Sequence, residues 1–265
     1  RYTVRVRELA TGETLADEIP GTLSGAIFSP DGRFIVYTTV DDAWRPDTVW
    51  LHEIGTGVDA DVQLFHEPDE RYWVGADFTR SDRFLVIGVG SSITSEERLI
   101  DADDLRGDAR VVWPRREGVE YSSEHAVVDG EDVLYVLHND GALDFELVRV
   151  SASDPQGPRE TVIPHRAGER LLGVDTFRDW GVVAYRRDGL TRLGLLSYTD
   201  GAVTEIAFDE PLYSVGTGGN PEWAPPVLRV GYGSVATPRP EYRLGLTHRE
   251  LRPLALRLRV GGLLP

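Results

Sequence analysis

Six histidines, at positions 52, 66, 125, 138, 165 and 248, and 44 acidic side chains are the groups in this 265-residue chain that could hold a metal or move a proton. The histidines are scattered singly. None forms a His-Glu-x-x-His pair or another close ligand spacing, so zinc is not expected and no metal ligands are assigned. His66-Glu67-Pro68-Asp69-Glu70 and Asp101 to Asp104 could ligate a hard cation, but neither alternates as a calcium loop does, and both read as solvated loop charge. A nucleophile on a strand-to-helix turn would read Gly-x-Ser-x-Gly, and no serine has glycines both two before and two after it. The nearest pattern, Gly231-Tyr232-Gly233-Ser234, sits in a strand-like run from Leu228 to Val235 with no helix after it. Gly216-Thr217-Gly218-Gly219 leads into Asn220-Pro221 instead of a helix, and the chain has no lysine, so the glycines read as a turn between strands and not as a phosphate cradle. No catalytic residue and no cofactor-binding residue is therefore assigned.

Two further stretches place charge beside aromatic rings: Asp41-Asp42 followed by Trp44-Arg45-Pro46, and Glu120-Tyr121-Ser122-Ser123-Glu124-His125. Packing between neighbouring sheets is the expected role of both, with a lone histidine satisfied by hydrogen bonds. Asp77, Glu124 and Asp175 fall near possible innermost strands, where channel chemistry would require convergent carboxylates or a metal.

The elements that must position these groups are strands. Glycine (28) and proline (16) fall between short β-rich runs. Tyr2 to Glu8, Arg33 to Val40, Thr48 to Ile54, Arg83 to Val89, Val133 to His138, Phe145 to Val150, Gly181 to Arg186 and Val227 to Tyr232 are predicted strands, several of them alternating as one buried face requires. Turns recur as well. Pro30-Asp31-Gly32, Arg80-Ser81-Asp82, Val128-Asp129-Gly130 and Phe177-Arg178-Asp179 each precede such a strand at steps of about 50 residues. A second series at Thr11-Gly12, Thr56-Gly57, Asp103-Asp104, Asp154 and Asp200-Gly201 falls midway. Two hairpins per repeat make the four-stranded antiparallel blade of a β-propeller, an all-β fold.

The expected blades run over 24–66, 73–113, 119–163 and 170–208, with two strands of an earlier blade at 3–20 and part of a later one after 211. The propeller is thus expected to be incomplete, about four full blades plus partial ones. The propeller domain is read as 1–241. From Tyr242 to Pro265 the chain holds 8 Leu and 5 Arg with the single acid Glu250, and 242–265 is read as a divergent, non-native tail. Its interruption by Gly245, Pro253, Gly261 and Gly262 argues against a membrane-surface helix.

Composition narrows the partners. A formal charge of −16, from 28 basic and 44 acidic side chains, disfavours nucleic acid. No run approaches the roughly 18 apolar residues of a membrane span. The absence of cysteine excludes disulfides and thiol catalysis and makes the cytoplasm the default expectation. Arg1 in a chain without methionine is not a translation start, so a preceding segment is expected.

The ordered motifs resemble the β-propeller region of oligopeptidase B, of the prolyl oligopeptidase family of serine peptidases. The likeness covers roughly 2–240. It is carried by Thr48-Val-Trp-Leu-His-Glu-Ile-Gly-Thr56, Thr94-Ser-Glu-Glu-Arg-Leu-Ile-Asp-Ala102, Glu120-Tyr-Ser-Ser-Glu-His125, Ile206-Ala-Phe-Asp-Glu210, Gly219-Asn-Pro-Glu222 and Leu228-Arg-Val-Gly-Tyr-Gly-Ser-Val-Ala-Thr-Pro238. Residues from Tyr242 onward depart from the family pattern. The resemblance implies a seven-bladed propeller over an α/β-hydrolase domain of the same polypeptide. It further implies a Ser-Asp-His triad in that domain and cleavage of short basic peptides after Lys or Arg. No triad residue transfers to this sequence, so the chain is expected to be the substrate-gating part, inactive alone. The alternative is a stand-alone propeller acting as a protein-interaction scaffold.

Overall fold

The computed structural model describes residues 1–208, 210–234, 241–245 and 250–253, and shows five antiparallel meanders. The first sheet joins β1 (Tyr2–Arg7), β2 (Thr14–Thr22), β4 (Phe34–Val40), β5 (Pro46–Glu53) and β6 (Val62–His66) in that order, with the two-residue β3 (Ile27–Phe28) also paired to β4. The second contains β7 (Trp73–Phe78), β8 (Phe84–Gly90), β9 (Ser95–Asp101) and β10 (Arg110–Val111). The third contains β11 (Tyr121–Val128), β12 (Glu131–His138), β13 (Glu146–Ser151) and β14 (Glu160–Ile163). These three belong to one compact unit, Arg1–Pro164. A second unit, from His165, contains β15 (Glu169–Thr176), β16 (Trp180–Arg187), β17 (Leu190–Ser197) and β18 (Val203–Glu205), then β19 (Tyr213–Thr217), β20 (Val227–Ser234), β21 (Glu241–Gly245) and β22 (Glu250–Pro253). A single 3-10 turn, Val58–Ala60, is the only helical element among the described residues. Four strands in sequence order per sheet is the propeller blade.

The turns explain why the repeat was visible in sequence. Between β11 and β12, Asp129 and Gly130 both take positive φ, 53° and 84°, across a two-residue hairpin closed by Val128 and Glu131. Asp188 and Gly189 do the same at 53° and 78° between β16 and β17. That backbone matches the twist of the flanking strands and favours Asp-Gly strongly. In the first sheet the Asp31 carboxylate accepts from Ser29 Oγ (2.6 Å) and Arg33 N (3.0 Å), holding the turn into β4.

Alternation along the strands builds the core between blades. On β8, Leu85, Ile87 and Val89 face the first sheet and pack with Val36, Val49, Leu51 and Val74. Phe84 and Val86, on the opposite face, pack with Leu99, Val112, Trp113, Tyr121, Leu134 and Val136 toward the third sheet. In the second unit, Val182, Leu193, Val215, Leu228, Val230 and Tyr232 form the corresponding layer. Each such fully buried aliphatic side chain contributes about 1.5–3 kcal/mol of transfer free energy.

Two details differ from the sequence reading. The hairpin β1–β2 is hydrogen-bonded onto the first sheet, through Thr22 opposite Thr39 and Leu23 N donating to Thr38 O (2.8 Å), so β2 and β3 share one edge of β4. The fifth sheet has four strands, the backbones of β21 and β22 pairing as Arg243 with Arg252 and Leu244 with Leu251. The remainder of 242–265 lies outside the described residues.

Candidate functional site

Three polar clusters in the first unit bring together residues distant in sequence. The first surrounds His52 on β5, fully buried. Its Nδ1 lies 2.7 Å from Asp61 Oδ1 and its Nε2 3.0 Å from Asp17 Oδ1, with both carboxylates buried as well. Gly55 N donates to Asp17 (2.5 Å) and Tyr37 Oη to Asp61 (2.7 Å). Burial alone would push the His52 pKa down, but the two carboxylates outweigh it and the pKa is raised. The cluster ties β2 to β5.

The second cluster sits between the first and second blades. Arg45 spends its guanidinium on Asp41 (2.9 Å) and on the carbonyls of Glu67 (3.2 Å), Asp69 (3.3 Å) and Tyr72 (2.8 Å), capping the link between the two blades. Arg115 reaches Glu67 Oε2 (2.5 Å) and Glu96 Oε2 (3.4 Å) and lies over the Tyr72 ring, 4.3 Å from its centroid. Glu67, read as solvated loop charge, is 3% exposed. Its ion pair with an arginine 48 residues away is what makes that burial tolerable. Of the acids in the other charged run, Asp101 pairs with Arg83 and accepts from Asp103 N.

The third cluster has the connectivity of a hydrolytic triad. Ser81 Oγ lies 2.7 Å from His125 Nδ1, and His125 Nε2 lies 3.1 Å from Asp132 Oδ1. Burial, only partly offset by Asp132, lowers the His125 pKa, so the neutral ring accepts from Ser81 and donates to Asp132. The surroundings oppose catalysis. His125 is 1% exposed beneath the edge of Phe84, Asp132 is already held by Arg83 (3.2 Å), and Ser81 caps the β7–β8 turn with Thr79 (3.0 Å). The 420 Å³ cleft beside it is lined by Arg83, Asp101 and Asp132 and not by Ser81 or His125. The imidazole that would act as base is closed off from solvent.

The three carboxylate candidates fall on the edge strands β7, β11 and β15. Asp77, exposed on β7, accepts its own strand's Phe78 N (2.8 Å), Glu124 lies on β11, and Asp175, in the second unit, accepts from Thr217 Oγ1 (2.9 Å). Among the described residues no group of three or more His, Asp or Glu is arranged to hold a metal ion. Trp44 is exposed at φ 65°, while Tyr121 is buried and its hydroxyl donates to Trp113 O (2.7 Å). Gly231 to Ser234 are indeed strand, in β20. Gly216 and Thr217 belong to β19, and only Gly218 and Gly219 form the loop after it, where the Asn220 amide holds Gly218 O (2.9 Å) and Arg229 O (3.0 Å). His248 lies outside the described residues.

A family described as prolyl oligopeptidase, N-terminal beta-propeller domain, matches residues 1–257. The chain belongs to this family. Among curated relatives of this propeller, Protease 2 of Moraxella lacunata is 33% identical over 248 residues, 93% of this chain and 35% of the relative. Dipeptidyl aminopeptidase BI of Pseudoxanthomonas mexicana is 31% identical over 256 residues, 96% of this chain and again 35% of the relative. The structure of oligopeptidase B from Leishmania major superposes with a TM-score of 0.86 at 25% identity, covering 95% of this propeller and 36% of that chain. The propeller thus spans about a third of the length of the peptidases it matches, as their N-terminal β-propeller domain.

Proposed function

We propose that this propeller gates substrate access in an oligopeptidase B-like serine peptidase that cleaves short peptides after Lys or Arg, with the Ser-Asp-His triad carried by an α/β-hydrolase domain beyond these residues. The observation that carries the reading is the family match over 1–257, in which the Ser81–His125–Asp132 group has its histidine buried beside Phe84. Size selection requires blades that do not part. The Arg45 and Arg115 clusters supply that stiffness between the first two blades, because each guanidinium holds several acceptors at once, Arg45 three carbonyls and a carboxylate and Arg115 two carboxylates. A charge of −16 raises the encounter rate of cationic peptides in a salt-dependent way. No observation favours the stand-alone scaffold over this reading.

The test is a graft of this chain in place of the 248-residue segment that it matches in Moraxella lacunata Protease 2. The graft is expected to turn over an arginyl-amide substrate, and the 265-residue chain alone to show no turnover. Hydrolysis by the chain alone, abolished by Ser81→Ala, overturns the proposal.

A further inference from the structure

The second blade presents an open shelf toward the third. Paired residues share a face of a sheet, so Gly75, Gly88 and Glu97 form one row across β7, β8 and β9. Trp73, Gly90 and Ser95 form the next row on the same face, and Asp77, Val86 and Leu99 the row on the other side. A Cβ placed on Gly75, Gly88 or Gly90 would meet no atom within 4 Å. Three side chains are in effect missing from one face, and their space is free. Trp73, 61% exposed, stands at one border and Asp77 is exposed at the other.

Glu97 closes the row. Its Oε2 accepts two bonds from Ser123 on β11, from Oγ (2.5 Å) and N (2.9 Å), and its Oε1 accepts none among the described residues. Although Glu97 keeps some surface, packed atoms crowd its carboxyl and no cation among the described residues pairs with it. Neither flanking charge supplies one, because Glu96 and Arg98 alternate to the opposite face and pair with each other (2.8 Å). A crowded carboxylate with one unused oxygen, facing a backbone-floored surface where a Cβ at three positions would meet nothing, is complementary to a cation, and an indole at the border adds a favourable π face.

We propose that this shelf binds the guanidinium or ammonium group of a peptide side chain, which pairs with Glu97 while its chain lies over Gly75, Gly88 and Gly90. The inference rests on the gating function for the kind of peptide that reaches the blade, and it adds a place on the propeller that recognises charge.

Desolvation, partly countered by the Ser123 bonds, pushes the Glu97 pKa up to about 7. A cation must therefore draw off that proton, and affinity rises with pH until Glu97 is ionised without help. Of the other ionisable groups around it, Tyr121 of β11 has its pKa raised and stays neutral, Glu96 and Arg98 are paired, and Asp77 lies across the shelf on β7.

The experiment is a calorimetric titration of the 265-residue chain with Nα-acetyl-arginine amide and with its neutral isostere Nα-acetyl-citrulline amide, below and above neutral pH. The arginine compound is expected to bind saturably, about tenfold or more tighter than the citrulline compound, and tighter at the higher pH. Glu97→Gln should erase both the preference and the pH dependence. Gly88→Val, which fills the shelf and leaves Glu97 in place, should weaken arginine binding with an unchanged circular dichroism spectrum. Absence of binding to the native chain, equal affinity for the two compounds, or an arginine preference that survives in Glu97→Gln overturns the proposal. Size selection by the grafted peptidase does not depend on Glu97, so losing one result leaves the other standing.

Discussion

Replacing Arg115 with Met keeps the aliphatic stem over Tyr72 and removes the cation from between Glu67 and Glu96. Breaking a buried pair by deleting one partner costs about 3–5 kcal/mol, because the other charge stays buried without compensation. Here the side chain of Arg115 is 26% exposed and Glu96 keeps Arg98 at 2.8 Å. The expected loss is therefore about 2–3 kcal/mol, or a Tm lower by about 5–10 °C for a domain of this size. The loss depends on pH. Burial raises the Glu96 pKa, but the Arg115 and Arg98 interactions outweigh it and leave it lowered. A carboxylate with a depressed folded pKa contributes stability above its unfolded value of 4.5, lost as pH falls through the folded value. The gap between native and Arg115→Met protein should be full near neutral pH and shrink as pH falls below 4.5 and Glu96 takes up its proton. Urea unfolding followed by tryptophan fluorescence at the two pH values measures it. A difference under about 0.5 kcal/mol at neutral pH, or one that does not shrink in acid, would refute the claim that this pair locks the first two blades.

Three further outcomes follow from the same geometry. His52 has a raised pKa, so its contribution is complete below the unfolded value of 6.5 and is lost as pH rises through the folded pKa; the melting temperature should fall as pH rises above 6.5, and His52→Asn should flatten that dependence. Arg45→Met leaves the carbonyls of Glu67 and Tyr72 without their donor, a cost of about 2–4 kcal/mol in urea unfolding, and Arg45→Lys should recover less than half of it because an ammonium cannot span the fork. Ser81→Ala should cost about 1 kcal/mol in stability and leave the isolated chain without arginyl-amide turnover, as before the substitution.

The blades were legible because their signals are local. Asp129-Gly130 announces a tight hairpin wherever it occurs, since two successive positive φ angles suit few other residues. The alternating burial of β8 and the continuous apolar run of β12 each lie within a window of seven or eight residues. The strands β21 and β22 were not legible, since Glu241–Gly245 and Glu250–Pro253 contain no β-branched residue and end on Gly and Pro. The polar clusters were invisible for a different reason. His52 meets Asp17 from 35 residues away, Ser81 meets His125 across 44, and Arg115 meets Glu67 across 48. Their partners are fixed by how one blade stacks on the next, and nothing in a linear spacing reports that stacking. The Gly75, Gly88 and Glu97 row depends on strand register, which a one-residue slip would destroy.

The central claim, that this propeller selects substrates by size while another domain cuts them, is tested most directly by the length dependence of cleavage in the grafted peptidase. Short arginine-containing peptides should be cleaved, and the same arginine site carried on a folded protein should survive intact under the same conditions. Cleavage of the folded protein at a rate comparable with the short peptides would contradict the account.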